Sequence, residues 1–259
     1  MTLQKTKPTY KTLTKLMFTN GNIKTDKNKH IEGLEDYLIK RLNFAPAKIS
    51  GYEVCASKSK GCEGACLHEA GNPVHMPQKT LGRVNRTLFY FKERAKFLSM
   101  MTREIRNHEI NCKKKNLKPV VRLNTTSDIM WENHKIFDLF PKVQFYDYTK
   151  HFKRMIKYLK GSMPKNYHLT FSRNEENDFK CTQVLKAGGN VAVVFRKNLH
   201  PLKSDLPAKY KGFKVIDGDL HDLRFLDKKN VVVGLREKLT LNDHGKLTKD
   251  YSGFVVDLK

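Results

Sequence analysis

A regular interval in the second half of the chain limits its folding more than any other feature. Short apolar, β-branched runs occur at Pro119–Asn124, Lys142–Thr149, Asn166–Ser172 and Asn190–Phe195, and their first residues lie about 24 apart. Two more follow at Gly212–Asp217 and Asn230–Leu235. The stretches between the first four have helical signatures. SDIMWENHKIFDLF (127–140) offers Ser127 or Asp128 as N-cap, followed by apolar Ile129, Ile136, Leu139 and Phe140. Residues 148–161 place Phe152, Met155, Ile156 and Leu159 at helical spacing and stop at Gly161. A third helix starts at Ser172 or Asn174 and stops at the Gly188-Gly189 pair, which suits a C-cap. Strands that alternate with helices form βαβ units on a parallel sheet. One strand and one helix per 24 residues fit an α/β (β/α) barrel or partial barrel better than a solenoid. An open doubly wound sheet is the alternative.

The first half is less regular. GLEDYLIKRL (Gly33–Leu42) predicts a short helix. Residues 79–107 predict one long helix with an apolar stripe of Leu81, Val84, Leu88, Phe91, Ala95 and Leu98. Arg83, Arg86 and Arg94 lie on its other face, which is either an ordinary solvated face or one that binds phosphate or nucleic acid. No linker rich in Pro, Gly or Ser divides the chain. It therefore reads as a single barrel-like domain over 1–259, with 1–44 as an irregular N-terminal extension. At 259 residues a chain of this kind buries a full core without disulfide staples.

In parallel α/β folds, chemistry gathers where strand C-termini enter the following loops. Those positions are polar here. The pocket candidates are Asn124, Ser127 and Asp128, then Asp147 and Thr149, then Ser172, then Asp217 and Asp219. Each is also an ordinary helix N-cap or turn residue. No G-x-S-x-G, P-loop, H-E-x-x-H or Rossmann glycine pattern is present, so no catalytic residue is assigned.

Three of the five cysteines crowd into VCASKSKGCEGACLHEAG, at Cys55, Cys62 and Cys66. The N-terminus has no apolar export signal, so a reducing compartment is expected and disulfides are not. A C-x6-C-x3-C loop with small neighbours (Gly61, Gly64, Ala65) can wrap thiolates around an iron–sulfur cluster. Zinc, with His68 or His75 as fourth ligand, and unligated thiols are the alternatives. The net charge of +24 favours polyanionic partners through counterion release, although a lysine-rich composition also produces it. No run of eighteen apolar residues occurs, so no membrane span is expected.

The cysteine loop, together with RVNRT, VVRLNTTSDIMWE, FYDYTK, YHLTFSRNEEN, NVAVVFR and VIDGDLHDLRFLD, resembles the bacteriophage gene-product-eighty-eight-like proteins. The resemblance covers the chain from about Ala45 onward. It implies a radical-SAM-like barrel in the host cytoplasm, with a [4Fe–4S] cluster held by Cys55, Cys62 and Cys66. S-adenosylmethionine is the implied second cofactor, but the loop is wider than the C-x3-C-x2-C of radical-SAM enzymes. Cys112 is the reserve fourth ligand, and Cys181 has no assigned role. Three functions compete. One is a cluster or redox enzyme acting on a phosphate-bearing or nucleic-acid substrate. Another is a basic, replication-associated DNA-binding protein with a structural or redox-sensing cluster. The third is electron transfer to an acidic redox partner through the lysine-bearing loop.

Overall fold

The computed structural model describes residues 18–19, 31–68, 77–196, 206–241 and 247–258. His75 and most of the basic N-terminal stretch lie outside them. Among the described residues the strands are β1 (Phe18–Thr19), β2 (Tyr37–Leu42), β3 (Lys118–Arg122), β4 (Gln144–Thr149), β5 (Tyr167–Ser172), β6 (Val191–Phe195), β7 (Lys209–Tyr210), β8 (Phe213–Asp217) and β9 (Val232–Arg236). They form one sheet in the order β1-β2-β3-β4-β5-β6-β9-β8-β7. A separate two-stranded ribbon joins β10 (Thr240–Leu241) to β11 (Leu247–Thr248). The helices are α1 (Ala47–Ser50), α2 (Lys60–Gly64), α3 (Pro77–Lys92), α4 (Arg94–Lys114), α5 (Phe152–Leu159) and α6 (Asp178–Lys186).

The six strands expected from the apolar runs form β3, β4, β5, β6, β8 and β9, and they are parallel to their neighbours among them. The sheet is open, not a closed barrel. A barrel adds each new strand on the same side of the last, and β2 to β6 do this. The order then breaks: β9 returns beside β6, and β8 lies outside it. Short antiparallel partners, β1 and β7, end the sheet on its two sides. Side chains alternate between the faces. Leu42, Val121 and Phe145 join the main apolar cluster with Phe97 and Met101 of α4, Met155 of α5 and Val184 of α6. Ile39, Val120 and Tyr146 point the other way and pack on Leu223, from the connection between β8 and β9.

Four local expectations are corrected. Gly33–Leu42 is not a helix: Tyr37–Leu42 is β2, paired residue for residue with β3, inside the segment expected to be irregular. Leu38 and Ile39 lie four and three residues before Leu42, with the charged Lys40 and Arg41 between them, so the strand imitates a helical pattern. Residues 127–140 form only a 3-10 turn at Trp131–His134. Asn124 Oδ1 accepts hydrogen bonds from Ser127 Oγ, Ile129 N and Trp131 Nε1, and these local bonds displace the helical ladder. The long helix is two, broken at Glu93, where φ −132° and ψ 53° leave helical space. The buried stripe therefore runs through Val84, Leu88 and Phe89, then Phe97, Met101, Ile105 and Cys112, while Leu81 is exposed. The third expected helix begins later, with Asn177 as N-cap of α6.

Candidate functional site

A cleft of about 260 Å³ opens at the C-terminal ends of the parallel strands. The exits of β3, β4, β5 and β9 line it, and so do all three loop cysteines. Two segments far apart in sequence therefore meet at one mouth, where a parallel sheet puts its chemistry.

The cysteine loop is fastened by short polar contacts. Ser59 caps α2 by accepting from Cys62 N at 3.2 Å. Glu175, just past β5, accepts from Ser59 Oγ at 2.8 Å and from Gly61 N at 2.7 Å. Burial alone would raise the Glu175 carboxyl, but hydrogen bonds including those from Gly61 and Ser59 outweigh it and hold it below its usual value. At the other end, Asp128 N donates to Val54 O at 2.7 Å, and Lys58 pairs with Glu53. Cys55, Cys62 and Cys66 are half-buried thiols, none of them in a disulfide. Burial pushes the Cys55 thiol up, and Asp128 and the other two sulfurs push the same way. Lys150, at the end of β4, donates to Ser172 Oγ at 2.9 Å. Burial would lower its ammonium, but Cys62, Asp128 and Cys55 outweigh this and hold it above its usual value.

The strand-exit residues divide into two groups. Asn124, Ser127, Asp128, Thr149, Ser172 and Asp219 line the cleft, whereas Asp147 and Asp217 do not. Several are scaffold. Asp128 accepts from Thr149 Oγ1, Lys150 N and Arg154 Nη1 at 3.1, 2.8 and 2.9 Å. Asp147 is wholly buried, accepts from Asn124 N at 2.7 Å and Tyr167 Oη at 3.0 Å, and is pushed up to about 7 by burial. Asp217 and Asp219 both pair with Arg236. Arg83, Arg86 and Arg94 do not form one exposed face. Arg83 is buried against His68 at 3.1 Å, Arg86 donates to Asn43 O at 2.7 Å, and only Arg94 is exposed, over the Tyr90 ring. Cys112 is buried on α4 beside His108, and Cys181 on α6 beside Asn177, both away from the cleft lining.

Sequence reasoning missed the cleft floor. Arg41 of β2 and Arg122 of β3 are register partners, both buried. Asp222, on the connection between β8 and β9, accepts from Arg41 Nη2 at 2.6 Å, Arg122 Nη1 at 3.2 Å and Tyr146 Oη at 2.8 Å. The signal was a charged residue at an inward position of each of two apolar strands. It was hidden in β2 by the helical reading.

Among the described residues no group of three or more His, Cys, Asp or Glu side chains is arranged to hold a metal ion. None of their helices is long and apolar enough to cross a membrane. The family model for gene product 88 matches residues 13–257. The chain belongs to the gene product 88 family, a family of phage proteins. The matched range contains the cysteine loop and every strand of the large sheet, so the cleft is built entirely from the family region. No curated protein and no solved structure matches the chain.

Proposed function

We propose that this gene product 88 protein is an iron–sulfur protein whose Cys55, Cys62 and Cys66 hold a [4Fe–4S] cluster at the mouth of the cleft. The observation that carries the proposal is the position of the three thiols: they come from one short loop and line the same cavity as the strand exits. The donor chemistry suits the group although the three thiols are not drawn together as a closed metal site: all three are half-buried and line the cleft, and a bare thiolate at Cys55 is disfavoured by its surroundings. The positive charge of a metal centre offsets that penalty. When bound, such a cluster supplies one-electron chemistry and one iron not taken by cysteine. The chain's own residues do the rest. Glu175 and Ser59 fix the loop, and Lys150 places a positive charge beside the sulfurs, complementing their thiolate form. The cleft gives a small ligand, with S-adenosylmethionine the first to test, access to the same space.

Anaerobic purification tests this reading. About four iron and four sulfide per chain are expected, with an EPR signal on reduction that is lost in Cys55→Ser, Cys62→Ser and Cys66→Ser. Zinc alone, or no metal, would overturn it. A signal that S-adenosylmethionine leaves unchanged would remove that cofactor and keep the cluster.

A further inference from the structure

On the cleft floor two buried arginines share one hydrogen-bonded carboxylate. Arg41 is 3% exposed and Arg122 8%, and they stand opposite each other on adjacent parallel strands. Like charges in that relation repel, and burial makes the repulsion worse. Asp222 answers both guanidinium groups with a single negative charge. The Nε of each arginine is buried and has no hydrogen-bond partner among the described residues. Thr125 Oγ1, on the β3 exit, is likewise buried with no partner among the described residues. All three residues line the cleft. Arg122 is also held in place, its guanidinium 4.6 Å from the centre of the Tyr148 ring. Arg236 shows the opposite balance, with one guanidinium shared by Asp217 and Asp219. Asp147 lies within electrostatic reach of Arg122 but accepts its hydrogen bonds from Asn124 and Tyr167, so among the described residues Asp222 is the one carboxylate hydrogen-bonded to the two floor arginines.

A buried donor left unmet costs about 1–3 kcal/mol, more when it is charged, so unmet donors on two arginines that share one carboxylate are what an oxyanion satisfies. Guanidinium groups match carboxylate and phosphate geometry with paired N–H donors. We infer that the floor of the cleft is an anion-binding site, in which Arg41, Arg122 and Thr125 receive the carboxylate or phosphate group of a small ligand. As a statement about the substrate of the cluster it rests on the proposed function, but the anion site itself does not need the cluster.

The test is calorimetric titration of the full chain with inorganic phosphate and, separately, acetate, at fixed ionic strength made up with chloride. A chain of +24 attracts any anion weakly, so the expected result is saturable binding above that background. The preferred probe tells phosphate from carboxylate. Arg122→Gln should weaken binding at least roughly tenfold, the usual worth of a charge-assisted contact. Thr125→Val leaves the arginine–Asp222 pairing intact, so it keeps the test open if Arg122→Gln misfolds, and it should weaken binding several-fold. Arg94→Gln, on the surface of α4, should change nothing. No saturable binding of either probe, or equal binding by wild type and Thr125→Val, would overturn the inference. The same titration on the chain with Cys55, Cys62 and Cys66 all changed to serine separates the two readings. Phosphate binding kept there, with iron lost, supports the anion site independently of the cluster. Iron retained by a wild-type chain that binds neither probe leaves the cluster and removes the anion site.

Discussion

Gly61 shows how closely single residues set the cysteine loop. A Cβ built there would lie 2.2 Å from Ser252 Oγ and 2.8 Å from both Glu175 carboxylate oxygens. Those oxygens are the acceptors for Gly61 N and Ser59 Oγ, so a methyl group would displace the carboxylate that secures the loop. Gly61→Ala and Glu175→Ala should therefore have similar effects. Each should cost about 1–2 kcal/mol in urea unfolding, the worth of two partly buried hydrogen bonds to a charged group. With the proposed cluster in place, each should also lower iron retained per chain during anaerobic gel filtration, whereas Glu175→Gln, which can keep both contacts, should stay near wild type. A Gly61→Ala chain that retains full iron and stability would show that the loop stands without Glu175. None of this was legible beforehand. The sequence offered small residues as room for a cluster, but Gly61 is small because Glu175, more than a hundred positions away, occupies the space.

At the scale of elements, α4 is locked to the sheet through His108. Its Nε2 lies 3.0 Å from Leu38 O in β2 and 3.3 Å from Val120 O in β3. Burial lowers the imidazole to about 4, below the usual 6.5. His168 on β5 is lowered to about 4 as well, again chiefly by burial. A folded pKa below the unfolded one gives stability that is complete above about 6.5 and is lost as pH falls through about 4. The loss is on the order of 3 kcal/mol per histidine across that window. His108→Gln keeps an N–H donor but cannot titrate. Its unfolding midpoint should decline less than wild type between pH 7 and pH 4.5, and parallel curves would rule this out. The element pattern itself shows what sequence could reveal. Apolar runs with β-branched residues marked β3 to β6 and β9, because a buried parallel strand is apolar on both faces, and they marked β8 as well although none of its five residues is buried. The same pattern misled at β2, whose identity depends on pairing with β3, about eighty residues later. Residues 127–140 misled for the opposite reason: the polar side chains that mark an N-cap bind one another and the neighbouring strand ends instead.

For the whole molecule, the cleft exists because the chain closes over its own strand ends. The segment 250–258 returns to β6, where Val256 N donates to Val194 O at 2.8 Å and Arg196 N donates to Val256 O at 2.9 Å. Arg173 Nη1 donates to Gly253 O and to Phe254 O, at 2.5 and 2.8 Å. Gly253 has φ +89°, a left-handed turn that glycine adopts without strain. Phe254 and Val255 thereby become part of the cleft wall, and Lys150 lies 5.6 Å from the centre of the Phe254 ring. Ending the chain after residue 249 should strip this wall while sparing the core strands β3 to β5. It should also leave the buried Arg173 without its two carbonyl acceptors, at a cost of about 2–4 kcal/mol. The clearest readout is thiol chemistry in the absence of metal. Cys55, Cys62 and Cys66 should react with a bulky maleimide several-fold faster in the truncated chain under native conditions. Cys112 and Cys181, buried on the helices, should stay protected in both chains and so report that the fold has survived. Equal rates for the loop thiols would mean that the C-terminal segment is no wall and that the cleft is open from that side.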